Sequence, residues 1–583
     1  GIIGDFMKYM PITLIVTLSA SMLYALIFVP TLGALIAKPF KEPAKHKDGP
    51  YMWLVGKAVR HPFTVLTLAL GLLIAVPYGY GKYGSGVEFF PNVEPDYGLL
   101  YVKARGNLSI EEKDALVRQA EARVLGFPGI SSVYTRSGKA GGAGNDVAAD
   151  VIGVIQYEFV DWRERKNANA ILNDLRAKMV GIPGVDIEVS VPAAGPPTGK
   201  AIQIQLSAVN PAGLGAVAAQ VADELAKVPG VIDIDSGLPL PGVDWELLVD
   251  RGAAARYGVA PNTVGAMVQL VTSGLKLSEY RPAGADDAVD IRLRLPADQR
   301  TILALDQLRI ETASGSVPLS NFVTRVAAPT TGQLTRLNGQ RTITVQAGIA
   351  AGVQAAPVRD AITAELSKAG LDKLGIRWKL AGEDEEQAEA GAFLGKAFGA
   401  AMFLIFIVLL AQFNKFISVG LVLSAVVMST IGVLLGLMIM GQPFGVVMTG
   451  IGIIALAGVV VNNNIVLIDT YDTLRHEGMA KIDAILETCR ERARPVVLTA
   501  ITAILGVLPI AFGLNLELLN HETTYGAPST QWWISLSSAI VFGLAFATVL
   551  TLIVIPSLLM IVTPGDGQRR KRRWFGLRAA KPV

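Results

Sequence analysis

Seven apolar runs, at residues 11–37, 62–80, 393–411, 416–440, 444–469, 497–513 and 534–562, constrain this chain more than any other feature of it. Each is long enough to cross a bilayer, which takes about 20 residues. In lipid the backbone must satisfy its own polar groups, so such runs are expected as helices. The second is the weakest, because Pro77, Tyr78 and Gly79 dilute its end. Between about 85 and 390 the character changes to charges, Pro-Gly turns and alternating strands, which reads as a water-exposed region. A composition of 51% hydrophobic and 17% charged residues over 583 positions is too apolar for an ordinary soluble enzyme.

Basic residues orient the runs. Lys38, Lys41, Lys45, Lys47, Lys57 and Arg60 lie between the first two, and Arg475, Lys481, Arg490, Arg492 and Arg494 between the fifth and sixth. The "RRKRR" of Arg569–Arg573 follows the last. Single crossings place all three on one side, which is the cytoplasm by the positive-inside rule. The 85–390 region, the "GQPF" turn and the 514–533 loop then lie opposite, in the periplasm of a Gram-negative cell. Directly after a span, the basic run reads as a lipid-facing tail rather than a nucleic-acid patch, and no nucleic acid is expected as a partner. Cys489, in a basic loop, is the only cysteine, so no intrachain disulfide framework is possible, and the four histidines are scattered. No phosphate loop, Ser/His/Asp set or spaced carboxylate pair suggests an enzyme. The chain opens on Gly1 and reads as a fragment of a larger protein. "ALIFVPTL" (Ala25–Leu32) and "TLIVIPSL" (Thr551–Leu558) end the first and last spans, with Pro30 and Pro556 at matching positions. Such repeats suggest a transporter of two similar halves, of which this chain holds the end of the first and all of the second.

"GFPGISSVY", "GIPGVDIEV" and "KVPGVIDID" each join a helix-like run to a strand-like one. The helix-like runs include Ser109–Leu125, Asn169–Val180 and Leu214–Lys227, and strands precede two of them. This is the unit of ferredoxin-like α+β domains. Ser109 and Glu112 form a capping box. Residues from about 240 to 330 read as an insertion in the last unit, which resumes at "RTITVQAGI" and a helix over Pro357–Lys368. Asp384, Glu385 and Glu386 read as a solvated helix face at the membrane surface.

Polar residues interrupt the fifth span at "GVVVNNNIVLID". Spacings of three, four and seven put Gly445, Thr449, Gly452, Ala455, Asn462 and Asp469 near one helical face. On the sixth, Arg492, Thr499, Thr502 and Gly506 form a stripe. Small residues admit a neighbouring helix, so the asparagines would face protein. Two readings stay open: interhelical hydrogen bonding with Arg492 snorkelling to lipid, or coupling to an ion.

The segments "GVVVNNNIVLIDTYDTLRHEGM" and "RERARPVVLTAITAILGVLPIAFG" resemble the tenth and eleventh spans of resistance–nodulation–division (RND) efflux permeases. "FFPNVEPDYG", "GPPTGKAIQI", "VPLSNFVTRV" with "LTRLNGQR", "GEDEEQAEA" before "LIFIVLLAQFNKF", and "PSTQWWISLSSAIVFGLAFATVLTLIVIP" match in order, so the resemblance covers the chain. It is most similar to the hydrophobe/amphiphile (multidrug) branch. The resemblance implies an α-helical transmembrane bundle bearing a large periplasmic α+β region. Its parts are a span ending the first half (1–37), a cytoplasmic linker (38–61), a span (62–84) and a porter subdomain (85–195). A second porter subdomain (196–240 and 331–390) carries a docking insertion (241–330), followed by a five-span bundle (391–563) and a basic cytoplasmic tail (564–583). It implies a homotrimer in the bacterial inner membrane. Driven by the proton gradient, with no cofactor, this would pass amphiphilic compounds to a periplasmic adaptor and an outer-membrane channel. The relay arginine and threonine of such pumps match Arg492 and Thr499; the relay lysine matches Asn462, a departure. Asn463 and Asp469 complete the candidate coupling set, with Asn464 expected to pack against a neighbour. Export of a metal ion or lipid, or a membrane assembly role, are the rival readings. The few porter methionines (Met179, Met267) argue against metal.

Overall fold

Among the described residues, seven helices of the computed structural model are long and apolar enough to cross a membrane. The structure describes residues 8–36 and 49–563, apart from 107, 139–147, 149, 193–194, 196–198, 285–286, 313–314, 331, 351 and 518–520. Arg569–Arg573 and residues 38–48 of the 38–61 linker therefore lie outside the described residues.

Helix α1 (Tyr9–Ile36) has every described side chain exposed. The short α2 (Pro50–Arg60) buries Val55, Ala58 and Val59 on one face, and α3 (Pro62–Tyr83) continues through Pro77. Strand β1 (Val87–Glu88) leads into the first α+β unit. That unit runs β2 (Tyr97–Ala104), α4 (Ile110–Val124), β3 (Ile130–Ser137), β4 (Val151–Phe159), α5 (Ala168–Met179) and β5 (Val185–Ser190). Its antiparallel sheet has the order β3-β4-β2-β5, the ferredoxin-like arrangement. The Ser109–Glu112 capping box forms at the start of α4.

The second unit begins with β6 (Ile202–Ala208), α6 (Leu214–Leu225) and β7 (Val231–Asp235). An insertion follows: β8 (Val243–Val249), α7 (Arg251–Arg256), α8 (Pro261–Val271), β9 (Leu275–Tyr280), β10 (Val289–Leu293), α9 (Ile302–Gln307), β11 (Arg309–Thr312), β12 (Gly315–Pro318) and β13 (Val323–Pro329). It has its own small core around Ala254, Ile310 and Phe322. The second unit then resumes with β14 (Thr335–Leu337), β15 (Gln340–Ile349), α10 (Ala355–Lys368) and β16 (Ile376–Ala381). β6 sits between β15 and β16, and β7 also pairs with β15. Each Pro-Gly turn after α4, α5 and α6 places its glycine in the left-handed region, at φ 91° for Gly129, 83° for Gly184 and 89° for Gly230. A side chain there would be strained, so the repeated "PG" is a geometric requirement of the unit.

Five long helices complete the chain: α11 (Glu383–Phe413), α12 (Phe416–Met440), α13 (Val446–His476), α14 (Lys481–Ala511) and α15 (Pro528–Val562). A two-residue strand β17 (Phe444–Gly445) precedes α13 and pairs with β1; a hairpin of β18 (Leu514–Glu517) and β19 (Glu522–Tyr525) separates α14 from α15. α15 is the hub, packed on α2, α3, α12, α13 and α14. The approach is close because glycines line it. A Cβ on Gly432 would lie 2.4 Å from Phe546 Cβ and 2.7 Å from the Phe542 carbonyl oxygen, and one on Gly543 2.3 Å from Leu456. The backbone oxygen cannot swing aside, so Gly432→Ala should destabilise the bundle by about 1–3 kcal/mol. Thermal unfolding in detergent should show it, with the exposed Gly399→Ala as the neutral control.

The ends of the bundle differ. At one, Lys481 Nζ donates to the carbonyls of Met560 (2.8 Å) and Thr563, Tyr471 and Thr563 share a 3.0 Å hydroxyl contact, and Tyr51 donates to Leu552 O. At the other, β1 meets β17 and the sheets begin. The helices of the fifth and sixth runs outlast their apolar stretches, since α13 and α14 continue until only residues 477–480 separate them. Charge marks where lipid ends, but 31 helical residues reach about 46 Å, well past a core of about 30 Å. Cys489 accordingly lies buried on α14, not in a loop.

Candidate functional site

The polar residues of α13 split between two faces. Thr449, Gly452, Asn463 and Asn464 are buried, whereas Asn462 and Asp469 are exposed. Gly452 faces α15, where a Cβ would meet Ala539 at 3.1 Å. The single stripe expected from heptad spacing is thus corrected. Ten residues of helix fall about 80° short of whole turns, which carries Asn462 off the Gly452 face, and Asp469 lies about 100° off it.

Where α13 meets α14, two contacts bring candidate residues together. Thr499 Oγ1 lies 3.3 Å from Asn463 Oδ1 and 3.0 Å from Val496 O, so one hydroxyl hydrogen serves two acceptors. Arg492 Nε donates to Thr470 Oγ1 at 2.7 Å, and that hydroxyl donates in turn to Val466 O at 2.8 Å. Among the described residues no carboxylate lies in ion-pair range of Arg492. Asn462 and Asp469 are exposed on α13, one residue before Asn463 and Thr470 respectively, and Thr499 and Thr502 are exposed on α14. Asn464 is fully buried; its Nδ2 donates to Val460 O, while Oδ1 has no partner among the described residues. Thr470 was not anticipated. It follows Asp469 directly, but only the helix pairing shows that it meets Arg492.

A cavity of about 460 Å³ opens where the linker after α3 meets both α+β units. Glu88, Phe89, Phe90, Arg176, Arg359 and Glu383 are among its lining residues. Both arginines are already paired, Arg176 with Asp233 at 3.1 Å and Arg359 with Asp384. Asp384 is therefore not part of a solvated face: α11 starts beneath α10, and the Arg359 guanidinium covers it. Burial pushes the Glu88 carboxyl up from 4.5 to about 7, and the nearby Glu383 adds to the rise. A carboxyl whose folded value is raised keeps its proton on folding. Stability should therefore fall as pH rises from about 4.5 through about 7. Glu88→Gln should flatten that part of the pH–melting profile.

Charged contacts join the two units. Lys103 of β2, only 7% exposed, contacts Glu188 of β5 at 3.2 Å and Asp235 of β7 at 2.6 Å. Lys200 pairs with Glu188 at 2.8 Å. Burial opposes the Lys103 charge, but the two carboxylates outweigh it and raise its pKa. The one signal in the sequence was a lysine among the inward residues of "LLYVKA"; its partners lie 85 and 132 positions away.

The profile of the AcrB/AcrD/AcrF family matches residues 1–563. Similar curated proteins include the nickel and cobalt resistance protein CnrA of Cupriavidus metallidurans, 27% identical over 96% of this chain and 52% of that protein. The cobalt-zinc-cadmium resistance protein CzcA of the same organism is 28% identical over 96% of this chain and 53% of its own length. The multidrug resistance protein MdtC of Pantoea ananatis is 24% identical over 98% of this chain and 55% of its own length. The chain thus spans about half the length of these relatives. Among solved structures, a heavy metal efflux pump superposes with a TM-score of 0.69 at 22% identity, over 88% of this chain and 51% of that one. Its fold is that of the RND pumps, and the chain belongs to the AcrB/AcrD/AcrF family of RND permeases.

Proposed function

We propose that this chain is the C-terminal half of a permease that exports amphiphilic compounds against protons across the bacterial inner membrane. The reading rests on Arg492, a cation on a membrane helix held, among the described residues, by the Thr470 hydroxyl alone. Beside it, Asn462, Asp469 and Thr499 sit on an exposed flank that lipid would not tolerate cheaply. A companion segment bearing carboxylates completes such a site. Ionised carboxylates attract Arg492; protonated ones release it to Thr470. Asn463 and Thr499 trade hydrogen bonds as this happens, and Asn462 presents an amide where relatives of the resemblance place a lysine. In the proposed assembly, three copies work with a periplasmic adaptor and an outer-membrane channel. The α+β units then face the periplasm, since Lys57, Arg60, Arg475 and Lys481 belong to the opposite end of the bundle.

The cavity supports an amphiphilic cargo, through the rings of Phe89 and Phe90 beside the polar Glu88 and Glu383. Neither Met179, in the first core, nor Met267, in the insertion, lines it. Metal export is the second reading, favoured by the names of CnrA and CzcA. The intact pump in liposomes, under an imposed proton gradient, tests both. Ethidium-dependent proton flux supports the first, and flux dependent on zinc or cobalt ions replaces it with the second. Proton flux dependent on neither would overturn the transport reading and leave an assembly role.

A further inference from the structure

α15 continues beyond the bundle and grips the first α+β unit. Gln531, in its first turn, accepts from the Glu94 backbone N–H at 3.0 Å through Oε1 and donates to Gly526 O at 2.8 Å through Nε2. The Glu94 carboxylate accepts from Arg165 Nη1 at 2.9 Å and from the Ala168 backbone N–H, at the start of α5, at 3.1 Å. The Arg165 side chain is 2% exposed. It also donates to the Val160 and Pro95 carbonyls, each at 3.0 Å, and lies over the Phe159 ring. Next to Gln531, Trp532 meets Phe90 edge-on at 5.9 Å. The hairpin adds Glu522, which pairs with Arg163 at 2.9 Å. That pair is about half exposed and holds little by itself.

The Glu94–Arg165 joint fixes a helix start, a strand end and a linker through one half-buried carboxylate and a buried guanidinium, so the first unit cannot shift there without breaking several charge-assisted bonds. Gln531 ties that joint to the helix at the hub of the bundle. α15 also packs against α13 at Gly452, and α13 carries Asn463 and Thr470. A displacement of α13 thus reaches the first unit through packed, rigid elements.

We infer that Gln531 is a positioning residue that makes α15 and the first α+β unit move as one body, delivering the movement of the membrane helices to the porter region. This rests on the proposed transport function. The test is Gln531→Met in the intact pump, a variant similar in size that cannot make either hydrogen bond. Spin labels at Ser529→Cys and Glu111→Cys, both exposed, report the joint directly, and the chain's own Cys489 is buried. The expected result is one narrow distance on either side of neutral pH, broadened or doubled by Gln531→Met. In liposomes, with ethidium or zinc according to which the native pump moves, Gln531→Met should export about fivefold less cargo per proton. A role in stability alone would lower cargo and proton flux together. A native distance that shifts by several ångströms with pH, or an unchanged cargo-to-proton ratio in Gln531→Met, overturns the inference. If the native pump moves neither cargo, the transport reading fails, and the distance measurement still decides whether the joint is rigid.

Discussion

Arg492→Ala is expected to lower proton-driven efflux by about two orders of magnitude in the intact pump at equal expression, an effective loss of transport. The reason is the asymmetry of its surroundings. Its Nε is satisfied by a hydroxyl that is itself committed to Val466 O. A guanidinium so placed leaves most of its donors for groups that arrive from elsewhere. Alanine removes the cation against which carboxylates in the companion segment would be tuned, so they would no longer change protonation in step with movement. Arg492→Lys keeps the charge but loses the planar fork and should recover only part of the efflux. Thr470→Ala should cost less than either, since it removes the resting place and not the charge. Efflux and cargo-dependent proton flux in the same vesicles measure all three, and native efflux by Arg492→Ala would sink the relay.

The long-range features of this protein were legible because each rests on a local signal. Spans show as apolar length, and the α+β units as three Pro-Gly turns that demand left-handed glycines. Ser109 and Glu112 announce the start of α4 three residues apart. The site was only half legible. Arg492 and Thr499 stand out as polar groups in an apolar helix, but Thr470, Glu88 and Gln531 act through partners 22, 295 and 437 positions away. Nothing in local spacing encodes such pairs. The division of α13 into a buried Asn463 face and an exposed Asn462 flank was lost for another reason. Gly452 and Asn462 are ten residues apart, which falls about 80° short of whole turns, and that offset decides which asparagine meets α14.

Lys103→Met should produce the largest stability loss in the water-exposed region. The ammonium lies between Glu188 and Asp235, whose side chains are 14% and 18% exposed. Replacing it with an apolar residue of similar length leaves two carboxylates facing each other across the seam. Removing one partner from a buried ion pair costs about 3–5 kcal/mol. Glu188 retains Lys200, so the damage centres on Asp235, which among the described residues keeps the Gly237 backbone N–H and the more distant Lys200 charge. Asp235→Asn in the Lys103→Met background should restore part of the loss, because the amide needs no counter-charge. The pH dependence follows from the sign. Burial alone would raise the Asp235 pKa, but Lys103 more than reverses this and holds it below the usual 3.8. That stabilisation is present above the ordinary carboxylate value and is lost as pH falls through the folded one. The gap between native protein and Lys103→Met in chemical unfolding should therefore narrow in acid. A gap that is small at neutral pH, or constant with pH, would show that the two units are held together by something other than this charged seam.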